Sequence, residues 1–135
     1  IDYVRELEKQ IETLNLKKHV FLKGSTLQLE NKMLESSIYI MSSLTECFPM
    51  VLLEAMSCGL PVVSFDCPNG PRNIITHQQD GVLVEYLNKN KLSETLIDLM
   101  SNKNKRESMG RHAKKNVNRY SEVAIMPLWL DLFLK

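Results

Sequence analysis

Cysteine is scarce in this 135-residue chain and badly placed for cross-linking: Cys47, Cys58 and Cys67 are odd in number and lack the C-x2-C spacing of a zinc site. They read as free thiols in a reducing compartment, with no metal and no cofactor expected. His19, His77 and His112 fall in different expected elements and read as exposed or capping residues. No apolar run approaches the roughly 20 residues that cross a bilayer, and no secretory signal is visible, which points to a cytoplasmic protein. A net charge of +1 gives no global nucleic-acid or membrane signature. Ser57, Ser64 and Cys67 have no glycine-flanked nucleophile elbow around them, so hydrolase chemistry has little support. There are no internal repeats and no low-complexity segments.

What is present is enough for one packed domain. With 44% hydrophobic and 24% charged residues, the chain can bury a real core, and its length suits a single unit. Tyr3, Val4, Leu7, Ile11 and Leu14 recur at helical spacing and predict a helix over Asp2 to Leu16. Strands are expected at His19 to Lys23, Ile38 to Met41, Pro61 to Phe65 and Gly81 to Val84. Helices are expected at Leu27 to Leu34, from Pro49 to Gly59, near Pro71 to Thr76 and at Lys89 to Met100, the last with Leu92, Leu96 and Leu99 on one face. This alternation implies an α/β domain with a parallel sheet covered on both faces, and ligands at the carboxyl ends of the strands.

One segment carries the chemistry. Ser42 to Pro61 reads SSLTECFPMVLLEAMSCGLP and places Glu46 and Glu54 eight positions apart across a loop-to-helix junction. Pro49 suits the first helical position, because the N–H it lacks would have no intrahelical partner there. The first turn of a helix presents unpaired amides and the positive end of the macrodipole, so the amides of Met50, Val51 and Leu52 could hold a diphosphate. Carboxylates repel a phosphate, so Glu46 and Glu54 make sense only if they face neutral hydroxyls. A diphosphate flanked by two polyols, ribose on one side and a sugar on the other, satisfies both requirements.

At these residues the sequence resembles the C-terminal domain of a family 4 glycosyltransferase of the GT-B fold. The family's E-x7-E signature is matched by Glu46 and Glu54, followed by Ala55, Met56, Gly59, Pro61, Val62 and Val63. Val20 to Gly24 resembles the family's strand and glycine near the base, and Gly81 to Val84 its last strand, so the resemblance spans nearly the whole chain. It implies a Rossmann-like domain, the C-terminal half of a GT-B fold truncated on its N-terminal side. It also implies roles: Glu54 on the donor's ribose hydroxyls, Glu46 as the catalytic-site residue on the transferred sugar, the amides from Phe48 through Pro49, Met50 and Val51 to Leu52 facing the diphosphate, although Pro49 itself cannot donate, and Gly24 near the base. The donor is expected to be a nucleotide-diphospho-sugar. Cys47 stands where the family commonly has glycine, and Asn73, within Asp66 to Ile75 (DCPNGPRNII), replaces a frequent glutamate. That loop looks most like bacterial enzymes that add hexose or N-acetylhexosamine to surface polysaccharide or lipopolysaccharide, with retention, which favours UDP-galactose, UDP-glucose or an N-acetylated relative.

The chain begins at Ile1 without an initiator methionine, and the Arg and Lys with which the family neutralises the donor diphosphate normally lie upstream. It therefore reads as a fragment of an enzyme, inactive alone, with residues 1–120 as the partial nucleotide-sugar domain. Residues 121–135 read as a C-terminal helix, capped by Ser121 and kinked at Pro127, that crosses to an acceptor-binding N-terminal domain. A glycan or lipid-linked acceptor is the expected partner. Lys103, Lys105, Arg106, Arg111, Lys114, Lys115 and Arg119, with Glu107 as the only opposing charge in that segment, read first as a solvated helix face and second as a contact with an anionic membrane at the inner face of the plasma membrane. Two alternatives stay open: another GT-B enzyme such as a nucleotide-sugar epimerase, whose site depends on different loop residues, and a doubly wound regulatory module, which needs an acidic cluster after its first strand that is not found.

Overall fold

The computed structural model describes residues 2–134. Helix α1 (Tyr3–Thr13) is capped by Asp2, whose Oδ1 accepts from the Arg5 amide at 3.4 Å. There follow α2 (Leu29–Leu34), β1 (Tyr39–Met41), α3 (Met50–Ser57), β2 (Val62–Phe65), the short α4 (Pro71–Ile74), β3 (Gly81–Val84), α5 (Lys89–Ser101) and α6 (Lys103–Asn116). A 3-10 turn (Val117–Tyr120) and α7 (Glu122–Phe133) complete the chain.

The three strands form one parallel sheet in the order β1-β2-β3, with Tyr39 beside Val62 and Val62 beside Gly81. β2 is central and all four of its residues are buried, as a strand covered on both faces must be. Its side chains alternate between two cores. Val62 joins Met33, Met41, Leu52, Leu53, Met56 and Ile74, the layer under α3, while Val63 and Phe65 pack with Val82, Val84, Leu99 and Met109 under α5 and α6. Leu92 and Leu96 pack against the second core with Leu99, so the expected face of α5 is the one that docks. At Gly110, on α6, a Cβ would stand 2.2 Å from the Gly59 carbonyl oxygen; only a hydrogen there lets α6 lie against the end of α3.

Buried Asp80 joins the second half of the domain. Its Oδ1 accepts from the Thr76 amide at 2.8 Å, its Oδ2 from Asn116 Nδ2 at 3.0 Å, and Arg119 lies 3.8 Å away. Arg119 also donates to the Ile74 carbonyl, which ties the 3-10 turn to α4. This corrects the picture of a free basic segment. Arg119 is a structural cation, Lys105 pairs with Asp98 at 2.7 Å, Lys103 with Glu107 at 3.6 Å, and Arg106 donates to the carbonyls of Leu99 and Met100 at the end of α5. Among the described residues, exposed Arg111, Lys114 and Lys115 take no carboxylate partner.

The expected strand at His19 to Lys23 does not form. Val20, Phe21 and Leu22 are exposed, without regular secondary structure and outside the sheet. A strand needs a neighbour for its amides and carbonyls, and none of the three strands is adjacent. A cleft of 630 Å³ separates this segment from α1. Helix α7 buries none of its side chains. Ser121 caps it, accepting from the Ala124 amide at 3.3 Å, and the helix continues through Pro127. No helix among the described residues is long and apolar enough to cross a membrane.

Candidate functional site

The loops that leave the carboxyl ends of the three strands meet at one place. Residues 42–49 follow β1, residues 66–70 follow β2, and residues 85–88 follow β3. Glu46 lies half-buried in the first loop, and Glu54 stands exposed on α3, whose Leu52, Leu53, Ala55 and Met56 face the core. The helix is thus fixed by its apolar side and offers its one carboxylate to solvent. Tyr39, half-buried on β1, senses both glutamates: burial first, then the charges of Glu46 and Glu54, raise its hydroxyl above the usual phenol range.

At the start of α3, Pro49 is the capping residue rather than the first helical one. Its ψ of 93° is extended, while its carbonyl already accepts from the Leu52 amide at 3.0 Å. Leu52 therefore has a buried side chain and an occupied amide. The amides of Met50 and Val51 have no acceptor among the described residues, and they form the free donor end of the helix. Phe48 and Met50 are exposed there, and Pro49 is buried.

Glu54 lies at the rim of a 380 Å³ cleft with Leu27, Leu29, Glu30, Met33, Ser57 and Cys58. Leu27 is fully exposed, an apolar side chain without a protein partner. Gly24, with φ of +65° and open space around it, does not line this cleft; Leu27, three residues on, occupies that side instead. An apolar floor of Leu27, Leu29 and Met33, with the carboxylates of Glu30 and Glu54 in its lining, suits a flat heterocycle joined to a diol.

The loop of Glu46 is held from three directions. Tyr86, after β3, donates its hydroxyl to the Leu44 carbonyl at 2.7 Å. Gly70, before α4, is pressed so close that a Cβ would stand 2.8 Å from both Glu46 Cβ and Pro49 Cδ. The buried Cys67 thiol lies against the backbone of Glu46, and burial, followed by the Glu46 charge, pushes that thiol up from its ordinary value. On the outer side the Phe48 ring meets Tyr120 edge-on, with centroids 5.7 Å apart. Residues 66–70 are braced by a bidentate pair, Arg72 Nε and NH2 donating to Asp66 at 3.0 and 2.9 Å. In place of the family's glutamate, Asn73 donates to the Asn69 carbonyl at 2.6 Å and so closes the same loop. Tyr39, Gly70, Tyr86 and Tyr120 escaped sequence reasoning. Only Gly70, flanked by Asn69 and Pro71, carried a local signal, that of a turn.

The model of the family described as glycosyl transferases group 1 matches residues 1–116. The chain is 32% identical over 129 residues to the poly(ribitol-phosphate) alpha-N-acetylglucosaminyltransferase of Staphylococcus aureus, covering 95% of this chain and 26% of that protein. It is 31% identical over 124 residues to the poly(glycerol-phosphate) alpha-glucosyltransferase of Bacillus subtilis, covering 92% and 18%. Among solved structures, TarM superimposes with a TM-score of 0.88 at 31% identity over 97% of this chain and 26% of that one. Anabaena Alr3699/HepE, solved in complex with UDP, also gives 0.88, at 25% identity over 98% and 36%. The chain spans between 18% and 36% of the length of these proteins.

Proposed function

This chain belongs to the group 1 glycosyl transferases, and on that premise we propose that it is the donor-binding half of a retaining GT-B enzyme that moves a hexose or N-acetylhexosamine from a UDP-sugar to a cell-surface polymer. The observation that carries this reading is that the free amides of Met50 and Val51 open a helix with Glu46 in the loop before it and Glu54 on its exposed face. In it the base lies against Leu27, Leu29 and Met33, and Glu54 accepts from the ribose hydroxyls. The diphosphate takes the helix amides, and Glu46 accepts from hydroxyls of the sugar. The bond from the anomeric carbon to the diphosphate breaks as the acceptor oxygen bonds to that carbon, and the helix end stabilises the charge left on UDP. The similarity to UDP-bound HepE and to the poly(ribitol-phosphate) and poly(glycerol-phosphate) transferases supports both the base and the class of acceptor.

Residues 1–120 then form the donor domain and α7 the element that crosses to an acceptor domain supplied by sequence outside this chain. Arg111, Lys114 and Lys115 are the cations left for an anionic membrane carrying a lipid-linked acceptor, with the enzyme at its cytoplasmic face. The donor assignment is tested by titrating UDP into isotope-labelled protein: the account expects shifts at Met50, Val51 and Glu54, and shifts confined to the cleft beside α1 would overturn it. Affinity of the 135-residue chain alone should lie between high micromolar and about millimolar, because an upstream cationic clamp would add roughly 1.5–3 kcal/mol per charged contact.

A further inference from the structure

Tyr120 touches the Glu46 loop from outside the strand-end loops. Its half-buried ring packs against the core under α3 and meets Phe48 edge-on at 71°. Its hydroxyl donates to the Asn73 carbonyl, on the same short helix that begins after Gly70. The Arg119 guanidinium lies over the ring at 4.9 Å, and Arg119 is itself tied to the Ile74 carbonyl and to buried Asp80. Tyr120 therefore links the Glu46 loop, through Phe48, to α4, through Asn73, from a turn that Arg119 ties to Ile74 and Asp80.

We propose that Tyr120 is a positioning residue of the donor site, clamping the Glu46 loop at Phe48 against α4 at Asn73 so that the carboxylate is set for the transferred sugar. This rests on the donor-site reading above. The clamp reaches the Glu46 loop directly through Phe48, whereas Glu54 stands on α3, fixed by that helix's own buried face. Releasing it should therefore depress turnover while sparing the nucleotide. It also sits one residue before Ser121, the cap of α7, so displacement of that helix would be felt at Glu46 through Tyr120.

The test uses the full-length enzyme with Tyr120→Phe and Tyr120→Leu. Tyr120→Phe keeps the ring on Phe48 and loses one hydrogen bond, so kcat should fall roughly five- to tenfold, the worth of one such bond. Tyr120→Leu loses both contacts and should fall further, while UDP affinity stays level in both. A readout free of any ligand runs beside the kinetics: alkylation of Cys67, which is fully buried, so that a reagent reaches it only when its surroundings open. Faster Cys67 labelling in the order Leu, Phe, parent supports the clamp. Equal labelling and equal kcat in all three proteins would overturn it, as would a fall in UDP affinity that matches the fall in kcat. Faster labelling in an enzyme that binds no UDP would uphold the clamp and overturn the donor-site reading.

Discussion

Replacing Gly70 by alanine adds one methyl group at the point where two loops touch. The backbone there is no obstacle, since φ of −96° and ψ of −71° lie in the right-handed helical region open to any L-residue. Space is the obstacle. The new carbon would stand 2.8 Å from Glu46 Cβ, 2.8 Å from Pro49 Cδ and 3.4 Å from Pro49 Cγ, whereas carbons rest at about 3.5–4.0 Å. Neither nearest neighbour is the free end of a flexible side chain, so the Glu46 loop must retreat by about 1 Å, a displacement that costs up to ~100-fold in rate at a reacting centre. Overpacking should lower stability by about 1–3 kcal/mol as well. Steady-state transfer by the full-length Gly70→Ala enzyme, with a urea titration beside it, separates the two effects. In protein that is still folded, kcat should fall ten- to a hundredfold. Parental kcat in the variant would show that Gly70 does not set the position of Glu46, and the reasoning from close approach would fail.

Leu99→Ala should destabilise the domain by about 2–5 kcal/mol, since Leu99 is fully buried between α5 and the sheet, and a shift in the urea midpoint measures it. Asp80→Asn should cost about 1–3 kcal/mol by loosening the 3-10 turn from α4, and it should speed Cys67 labelling as the Tyr120 variants do. The folded state holds the Cys67 and Tyr39 protons more tightly than the unfolded chain does, so unfolding releases protons at alkaline pH. Stability should be level below the ordinary thiol value and fall as pH rises through the raised ones; Cys67→Ala should flatten the first part of that decline, and a midpoint that rises with pH would contradict the assignment.

Much of this was legible because the signals were local. β2 is a short apolar run between turn residues, α5 carries leucines at helical spacing, and Glu46 and Glu54 are eight positions apart with Pro49 between them. The segment at residues 19–23 misled for a physical reason. Val20, Phe21 and Leu22 have strand propensity, yet a strand is made by its neighbour, and no described strand lies beside them. The restraints on Glu46 were not legible for the opposite reason. Tyr86 reaches Leu44 across 42 positions and Tyr120 reaches Asn73 across 47, and no periodicity records contacts of that range. The basic segment looked uncompensated because its partners, Asp80 and Asp98, precede it in sequence and reach it only through folding.

UDP affinity measured by calorimetry for Glu54→Gln and Glu46→Gln in the full-length enzyme decides how the two glutamates divide the donor between them. An amide is a poorer acceptor than a carboxylate for ribose hydroxyls, so Glu54→Gln should weaken UDP roughly ten- to a hundredfold, the worth of about 1.5–3 kcal/mol for a charged hydrogen bond. Glu46→Gln should leave UDP affinity unchanged and lose its activity in transfer from the UDP-sugar, in kcat as well as KM. Equal losses of UDP affinity in the two variants would contradict the assignment of Glu46 to the sugar and Glu54 to the ribose.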